Sequence, residues 1–387
     1  MRVFLDNASS TAVSQSAKRA LTQSLELFGN PSSVHQDGQG TRALVEDSRD
    51  QVALALGANR SEVIFLSGGT EANNLAIKGL FWQSGKKLIV SAPTEHHAVI
   101  DPILWLESHQ LAEVIWLDVD IRGQVNLEQL AELIETRGEE IALIALMIVN
   151  NETGVVTDIS AVVELAKQKR IPVHADAVAA FGHLELDFSS LGLSTMAVSG
   201  HKIGAPIGVG ALIASRNQKL ESLQHGGSQE RGLRSGTIAF PLIAAFGAAA
   251  AEISEGIVKR ELRFRELRDA LEQKVAAAIP QVVVTSKDSV RTGHIAHFLF
   301  PGAQSDNLLF LLDQEGISVS AGSACTAGVL APSHVLIAMG IDHSLADCSI
   351  RVSLGPQTKE SDLDAFLAAL QKAYPIALQQ SANQKAI

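Results

Sequence analysis

Ser199-Gly200-His201-Lys202 follows the apolar run Met196-Ala197-Val198. A lysine at the mouth of a core strand is unusual, because burying an ammonium is costly. Desolvation lowers the pKa of such an amine and makes it a good Schiff-base former. Ser199 and His201 flank it with donors suited to a phosphate. A second phosphate cradle is Ser67-Gly68-Gly69-Thr70-Glu71, between a predicted strand and a predicted helix. Glycines such as Gly69 let the backbone approach an anion, the first N–H groups of a helix and its dipole attract it, and Thr70 adds a hydroxyl. Each motif alone also has a plainer explanation: a surface lysine in a loop, and a tight turn with a helix cap.

Three more positions bear chemistry. In Val173-His174-Ala175-Asp176-Ala177, Asp176 stands where an apolar strand ends, the edge at which open parallel sheets bind ligands. A carboxylate there can keep a pyridinium nitrogen protonated, although a helix cap would use the same residue. In Glu95-His96-His97, an imidazole could stack on a ring and move protons. The paired histidines also raise metal binding, but adjacent side chains on an extended segment diverge and no third ligand is evident, so no resident metal is expected. In Ser320-Ala321-Gly322-Ser323-Ala324-Cys325-Thr326-Ala327-Gly328, small residues surround one thiol. Such a stretch reads as a mobile, exposed loop whose thiol is partly ionised near neutral pH. Cys348 precedes a strand and reads as packing. Arg351, in Ile350-Arg351-Val352-Ser353, carries a planar guanidinium suited to a carboxylate, or else to a surface ion pair.

The elements that must position these residues alternate between strand and helix. Strands are predicted at 62–66, 87–90, 114–117, 141–149 and 171–173, with helices at 74–82, 127–137 and 160–169 among them. That order argues for a mostly parallel sheet covered on both faces, an α/β arrangement. Near residue 258 the texture changes to a charged helix at 259–278. Strands follow at 281–285, 295–300, 317–320 and 350–354, with helices at 306–314, 333–339 and 360–372. Two domains are expected: a large one over 16–257, and a small α+β one made of 1–15 with 258–387. A chain of 387 residues is long enough for both. The net charge of −11 does not favour nucleic acid or anionic lipid. The longest apolar run, 141–149, is far short of the roughly 20 residues of a membrane span. No secretory leader is visible, and two cysteines are too few for a disulfide framework, so a cytoplasmic location is expected.

Taken together, these motifs resemble the cysteine desulfurases, fold-type I pyridoxal-phosphate enzymes of the class V aminotransferase group. The resemblance runs from Leu5-Asp6-Asn7-Ala8 and Gly29-Asn30-Pro31-Ser32-Ser33-Val34-His35 through the Gly69-Thr70 segment. It continues through Asn150-Asn151-Glu152-Thr153-Gly154 and Arg234-Ser235-Gly236-Thr237 to the Cys325 loop and Arg351. The Gly-Ser-Ala-Cys-Thr form of the loop is similar to the NifS/IscS-like branch. The resemblance implies that Lys202 links covalently to pyridoxal 5'-phosphate, His96 stacks on its ring and Asp176 pairs with the ring nitrogen. It implies that Gly69, Thr70, Ser199 and His201 bind the phosphate, joined by Thr237 from a neighbouring subunit of a homodimer. Asn151 and Arg351 would hold the carboxylate of L-cysteine. Cys325 would take the sulfur as a persulfide for iron–sulfur assembly or tRNA thiolation proteins, with at most a transient role as ligand of a nascent iron–sulfur cluster. The runner-up activities are a selenocysteine lyase, a related carbon–sulfur lyase, and a partner-binding homologue without turnover. Three positions depart from the usual pattern: Ala179 replaces a glutamine, Ile207 a lysine and Ser228 a glycine.

Overall fold

The computed structural model describes residues 2–322 and 332–384. The segment with Cys325 lies outside the described residues. Ile141–Met147 is buried at all seven positions. An apolar run without alternation is what a strand covered on both faces requires. It sits within a seven-stranded sheet in the order Val63–Leu66, Gly210–Ala214, Thr195–Ser199, Val173–Asp176, Ile141–Met147, Leu88–Ser91, Glu113–Trp116. All pairs are parallel except those of Gly210–Ala214, which runs antiparallel to both its neighbours. The sheet is therefore mostly parallel with helices on its faces, as the alternation of elements predicts.

Register levels the chemistry along one edge. Asp176 lies beside Met147 on one side and Ala197 on the other, and Ser199 lies beside Gly210. The carboxyl ends of three parallel strands thus come level. Gly210 also lets the turn before the helix Gly69–Ser84 settle against this edge. A Cβ at Gly210 would lie 2.8 Å from the Gly68 Cα and 2.7 Å from the Val198 carbonyl oxygen.

One predicted strand is displaced. The expected strand at 171–173 is instead Val173–Asp176. Pro172 has no N–H for a ladder and lies just before the strand, where its carbonyl accepts from Ile144 N at 2.9 Å. Four helices longer than two turns escape sequence reasoning: Gln15–Ser24, Gln36–Ala55, His97–Gln110 and Phe240–Ser254. The last is apolar almost all round, so it has no polar face to mark its period, and the first two pack on it.

A second core gathers Phe264, Phe298, Phe300 and Phe366. It is built on a three-stranded antiparallel sheet of Ser349–Ser353, Ile295–Leu299 and Val283–Val284. The chain start joins this part, because Val3–Phe4 pairs in parallel with Ile317–Ser318. Between the cores, helices Phe240–Ser254 and Ile257–Ala278 meet at 72°, with Gly256 in the left-handed region at φ +65°. The last helix runs over Glu360–Gln384, well beyond the predicted end at 372. Pro375 lies inside it, and Tyr374 and Ala377 on either side are buried and hold the helix through it. Among the described residues, no single helix is long and apolar enough to cross a membrane.

Candidate active site

The carboxyl edge of the large sheet opens into a cavity of about 300 Å³. Its wall brings together Gly69, Thr70, His96, Asn151, Asp176, Ser199, His201, Lys202 and Arg351. These come from six separate stretches of chain. Lys202 leaves the end of Thr195–Ser199 in a short 3-10 turn, Gly200–Lys202. Its Nζ donates to the carbonyls of Ala8 at 2.6 Å and Ser9 at 2.8 Å, so the N-terminal segment lies across the lysine. Thr11 clips that segment down, its hydroxyl donating to the Lys202 carbonyl at 3.0 Å.

The helix Gly69–Ser84 begins at this cavity. Its cap residue, Gly68, has no side chain to satisfy the first N–H groups. Glu71 instead reaches back to Ser67 N at 2.6 Å. The uncovered helix start, Thr70, Ser199 and His201 form one polar corner suited to an anion. His201 Nδ1 is buried without a hydrogen-bond partner among the described residues. Burial and the Lys202 ammonium push the His201 pKa down to about 4, which leaves its ring neutral.

Asp176 is 5% exposed and oriented from behind. Its Oδ2 accepts from Asn73 Nδ2 at 2.7 Å, and its Oδ1 accepts from Val178 N at 2.9 Å. Asn73 Oδ1 in turn lies 2.9 Å from His174 Nε2, and His174 Nδ1 lies 2.9 Å from the Thr195 hydroxyl. Burial holds the His174 pKa down to about 3. The ring is therefore neutral, and only a proton on Nε2 can serve the Asn73 carbonyl oxygen. That fixes Asn73 with its amide aimed at Asp176. Sequence reasoning missed Asn73 and His174. The signal for His174 was present, since residues two apart on a strand share a face.

His96 caps the helix His97–Gln110, its Nδ1 accepting from Ala98 N at 3.0 Å. Nδ1 is thus an acceptor, and in the neutral ring the proton sits on Nε2. Burial foremost, with Lys202, His97 and His334, lowers the His96 pKa against the opposing pull of Asp176. A neutral imidazole can stack on a flat ring without adding a charge to the cavity. At the other wall, Arg351 is buried in the strand Ser349–Ser353. It donates to the Asn151 carbonyl at 2.9 Å and to Asp6 Oδ1 at 2.8 Å, while its Nε is buried without a partner among the described residues. Asp6 therefore holds the arginine in place, a role that sequence reasoning did not give it. A cavity with an amine, a seated carboxylate, a neutral imidazole and an anion corner fits a planar ring that bears a phosphate.

Residues 3–366 match the family model described as aminotransferase class-V. An IscS-like cysteine desulfurase of Mycobacterium tuberculosis is 42% identical over 373 residues, covering 95% of each chain. The chain belongs to the cysteine desulfurases of the class-V aminotransferase family. Among solved structures, a NifS-like protein from Rickettsia africae superposes with a TM-score of 0.88 at 30% identity, over 97% of this chain and 100% of that one. SspA, solved in complex with cysteine, superposes with a TM-score of 0.79 at 30% identity, over 92% of this chain and 100% of that one.

Of the expected site residues of this cysteine desulfurase, one among the described residues is not brought to the cavity wall. Thr237 is exposed and outside the wall. Cys325 lies outside the described residues, although Gly322, three positions earlier, lines the cavity. The three departures also find places. Ala179 lines the cavity where a glutamine would have added a donor. Ile207 is 77% exposed. Ser228 adopts φ +59°, the left-handed region in which glycine is the easier residue, so its backbone has kept a glycine-like conformation. Away from the cavity, His183, Glu261 and His294 present ligand atoms within 4.8 Å of one another. Burial foremost, with the nearby Arg260, lowers the His183 pKa to about 3, and the arginine's charge opposes a cation there.

Proposed function

We propose that this cysteine desulfurase works with pyridoxal 5'-phosphate in the cavity and moves sulfur from L-cysteine onto Cys325. The observation that carries this reading is the meeting of Lys202, Asp176, His96 and the anion corner in one cavity with Arg351. The helix start at Gly69, with Thr70, Ser199 and His201, would bind the phosphate. Asp176, held by Asn73, would face the ring nitrogen, and His96 would stack on the ring. When bound, the cofactor supplies an electron sink conjugated to the amino acid.

The chain's own residues do the rest. Arg351 and Asn151 orient the substrate carboxylate. Lys202 would move the α-proton once the amino acid is seated. The Cys325 thiolate forms a sulfur–sulfur bond with the substrate sulfur. The carbon–sulfur bond breaks and leaves its electron pair on carbon. Carbon takes a proton, and alanine leaves. Cys325 then carries one extra sulfur and passes it to an acceptor for iron–sulfur assembly or tRNA thiolation. Cys325 follows the cavity wall by three residues, which a chain spans in at most about 10 Å.

A homodimer with shared sites belongs to the same reading. Thr237 is exposed in the single chain, as are Phe28 at 76% and Val34 at 89%. Such apolar surface is suited to a second copy. The two-domain division at 257–258, beside the Gly256 bend, and a cytoplasmic location complete it. Borohydride reduction of the purified yellow protein, followed by peptide mapping, tests the cofactor link. Label on Lys202 supports it; a stable link on another lysine, or none, overturns it.

A further inference from the structure

The turn Asn150–Gly154 follows the central strand and is locked from within. Asn150 Oδ1 accepts from Glu152 N at 3.0 Å, Thr153 N at 2.9 Å and the Thr153 hydroxyl at 3.2 Å. Asn150 Nδ2 donates to the Thr94 carbonyl at 3.0 Å. Gly154 closes the turn at φ +76°. This rigid turn drives the Glu152 side chain inward, where the residue is 2% exposed. A buried carboxyl is costly unless it has partners. Glu152 has no part in the roles given above, yet its surroundings are specific.

Its Oε2 accepts from the Ser333 hydroxyl at 2.5 Å. The same serine caps the helix His334–Ala338, its Oγ accepting from Leu336 N at 3.2 Å. Next along, His334 Nε2 lies 2.9 Å from the Glu95 carbonyl. On the other side of Oε2 stands Gly322, at φ +79°. A Cβ at Gly322 would lie 2.9 Å from Glu152 Oε2. Ser320, two residues earlier, pairs with Arg351 in both backbone directions. One carboxylate oxygen thus bonds the chain just after the Cys325 segment and leaves no room for a side chain at Gly322, just before it. Arg351, His334 and His97 also act on this carboxyl, so it feels the wall that would hold the substrate.

We propose that Glu152 is a positioning residue for sulfur transfer: by binding Ser333 and packing under Gly322, it fixes both ends of the segment that presents Cys325. This rests on the reading that Cys325 is the sulfur acceptor. Loss of the contact should leave cysteine binding intact and slow the transfer of sulfur. That split distinguishes positioning of the thiol from general damage to the cavity.

The test uses the cofactor-loaded full chain and two readouts. Rapid mixing with L-cysteine follows the cofactor absorbance, which reports substrate engagement. Quenched single turnovers measure alanine and the extra sulfur on Cys325. Glu152→Ala should engage cysteine within about threefold of the parent, and its sulfur transfer should fall at least tenfold. Ser333→Ala, which leaves the carboxylate in place, should show the same split and guards against a folding defect in the first variant. Glu152→Gln still offers an oxygen to Ser333 and should retain transfer within about threefold. Unchanged transfer in both alanine variants, equal loss in both readouts, or a glutamine variant as slow as alanine would overturn the proposal. Cys325→Ser run in parallel keeps the underlying reading separate: continued alanine production there defeats that reading whatever Glu152 does.

Discussion

Arg351 shows how a residue's role depends on what holds it. Asp6 and the Asn151 carbonyl occupy its two Nη atoms, and its Nε has no partner among the described residues. The guanidinium is therefore held before any substrate arrives, with one edge still to be satisfied. Arg351→Ala is expected to raise KM for cysteine about 30-fold, as loss of a charge-assisted contact of about 2 kcal/mol implies. Steady-state kinetics check this, and unchanged KM removes Arg351 from the substrate site. Lys202, Asp176 and His96, singled out in sequence by residue type and place, do meet in one cavity. Supporting partners such as Asp6, Asn73 and His174 were not legible there. Their importance lies in hydrogen bonds across 345 residues in one case and 101 in another, and spacing along the chain cannot show those.

Strands and helices bring a charge problem as well as a solution. The strand Leu88–Ser91 leads to Glu95, which is fully buried just before His96. Its Oε1 accepts from Met147 N at 2.8 Å, and its Oε2 has no partner among the described residues. Burial, with added repulsion from Asp176, raises the Glu95 pKa well above the usual carboxylate value. A raised folded-state pKa stabilises the protein below the unfolded pKa, and that contribution is lost as pH rises through the folded value. Glu95→Gln cannot ionise. The Tm of this variant minus that of the parent should therefore grow as pH rises from about 4.3, the unperturbed Glu value. Each kcal/mol corresponds to roughly 2–4 °C in a chain of 150–250 residues, and less in this longer one. Thermal melts at several pH values check the trend, and a constant or shrinking difference contradicts it. At this scale the sequence marked most strands of the large sheet through short apolar runs. It did not mark Gly210–Ala214 or Phe240–Ser254, where small residues blur both the period of two and the period of 3.6.

For the whole molecule, the mostly parallel sheet and its carboxyl edge were foreseeable from the order of elements, whereas the N-terminal strap over Lys202 was not. Its carbonyl contacts join residues 193 and 194 positions apart. Thr237, exposed and away from the cavity of its own chain, bears on assembly. Thr237→Ala is expected to weaken pyridoxal phosphate binding about tenfold, as a lost hydrogen bond to a charged group implies. Mixed dimers with Lys202→Ala chains should regain parental affinity at the intact site, since the Lys202→Ala chain supplies a normal Thr237 there. Cofactor titration of the mixed dimers checks this, and no recovery places Thr237 in its own chain's site or in none. The most direct test of sulfur transfer is made at Cys325. Cys325→Ser removes a readily ionised nucleophile and leaves Lys202 and Arg351 untouched. Mixed with L-cysteine, this variant should still change the cofactor absorbance but make almost no alanine and carry no extra sulfur, while Cys348→Ser remains near parental activity. Alanine production by Cys325→Ser at the parental rate would contradict the account.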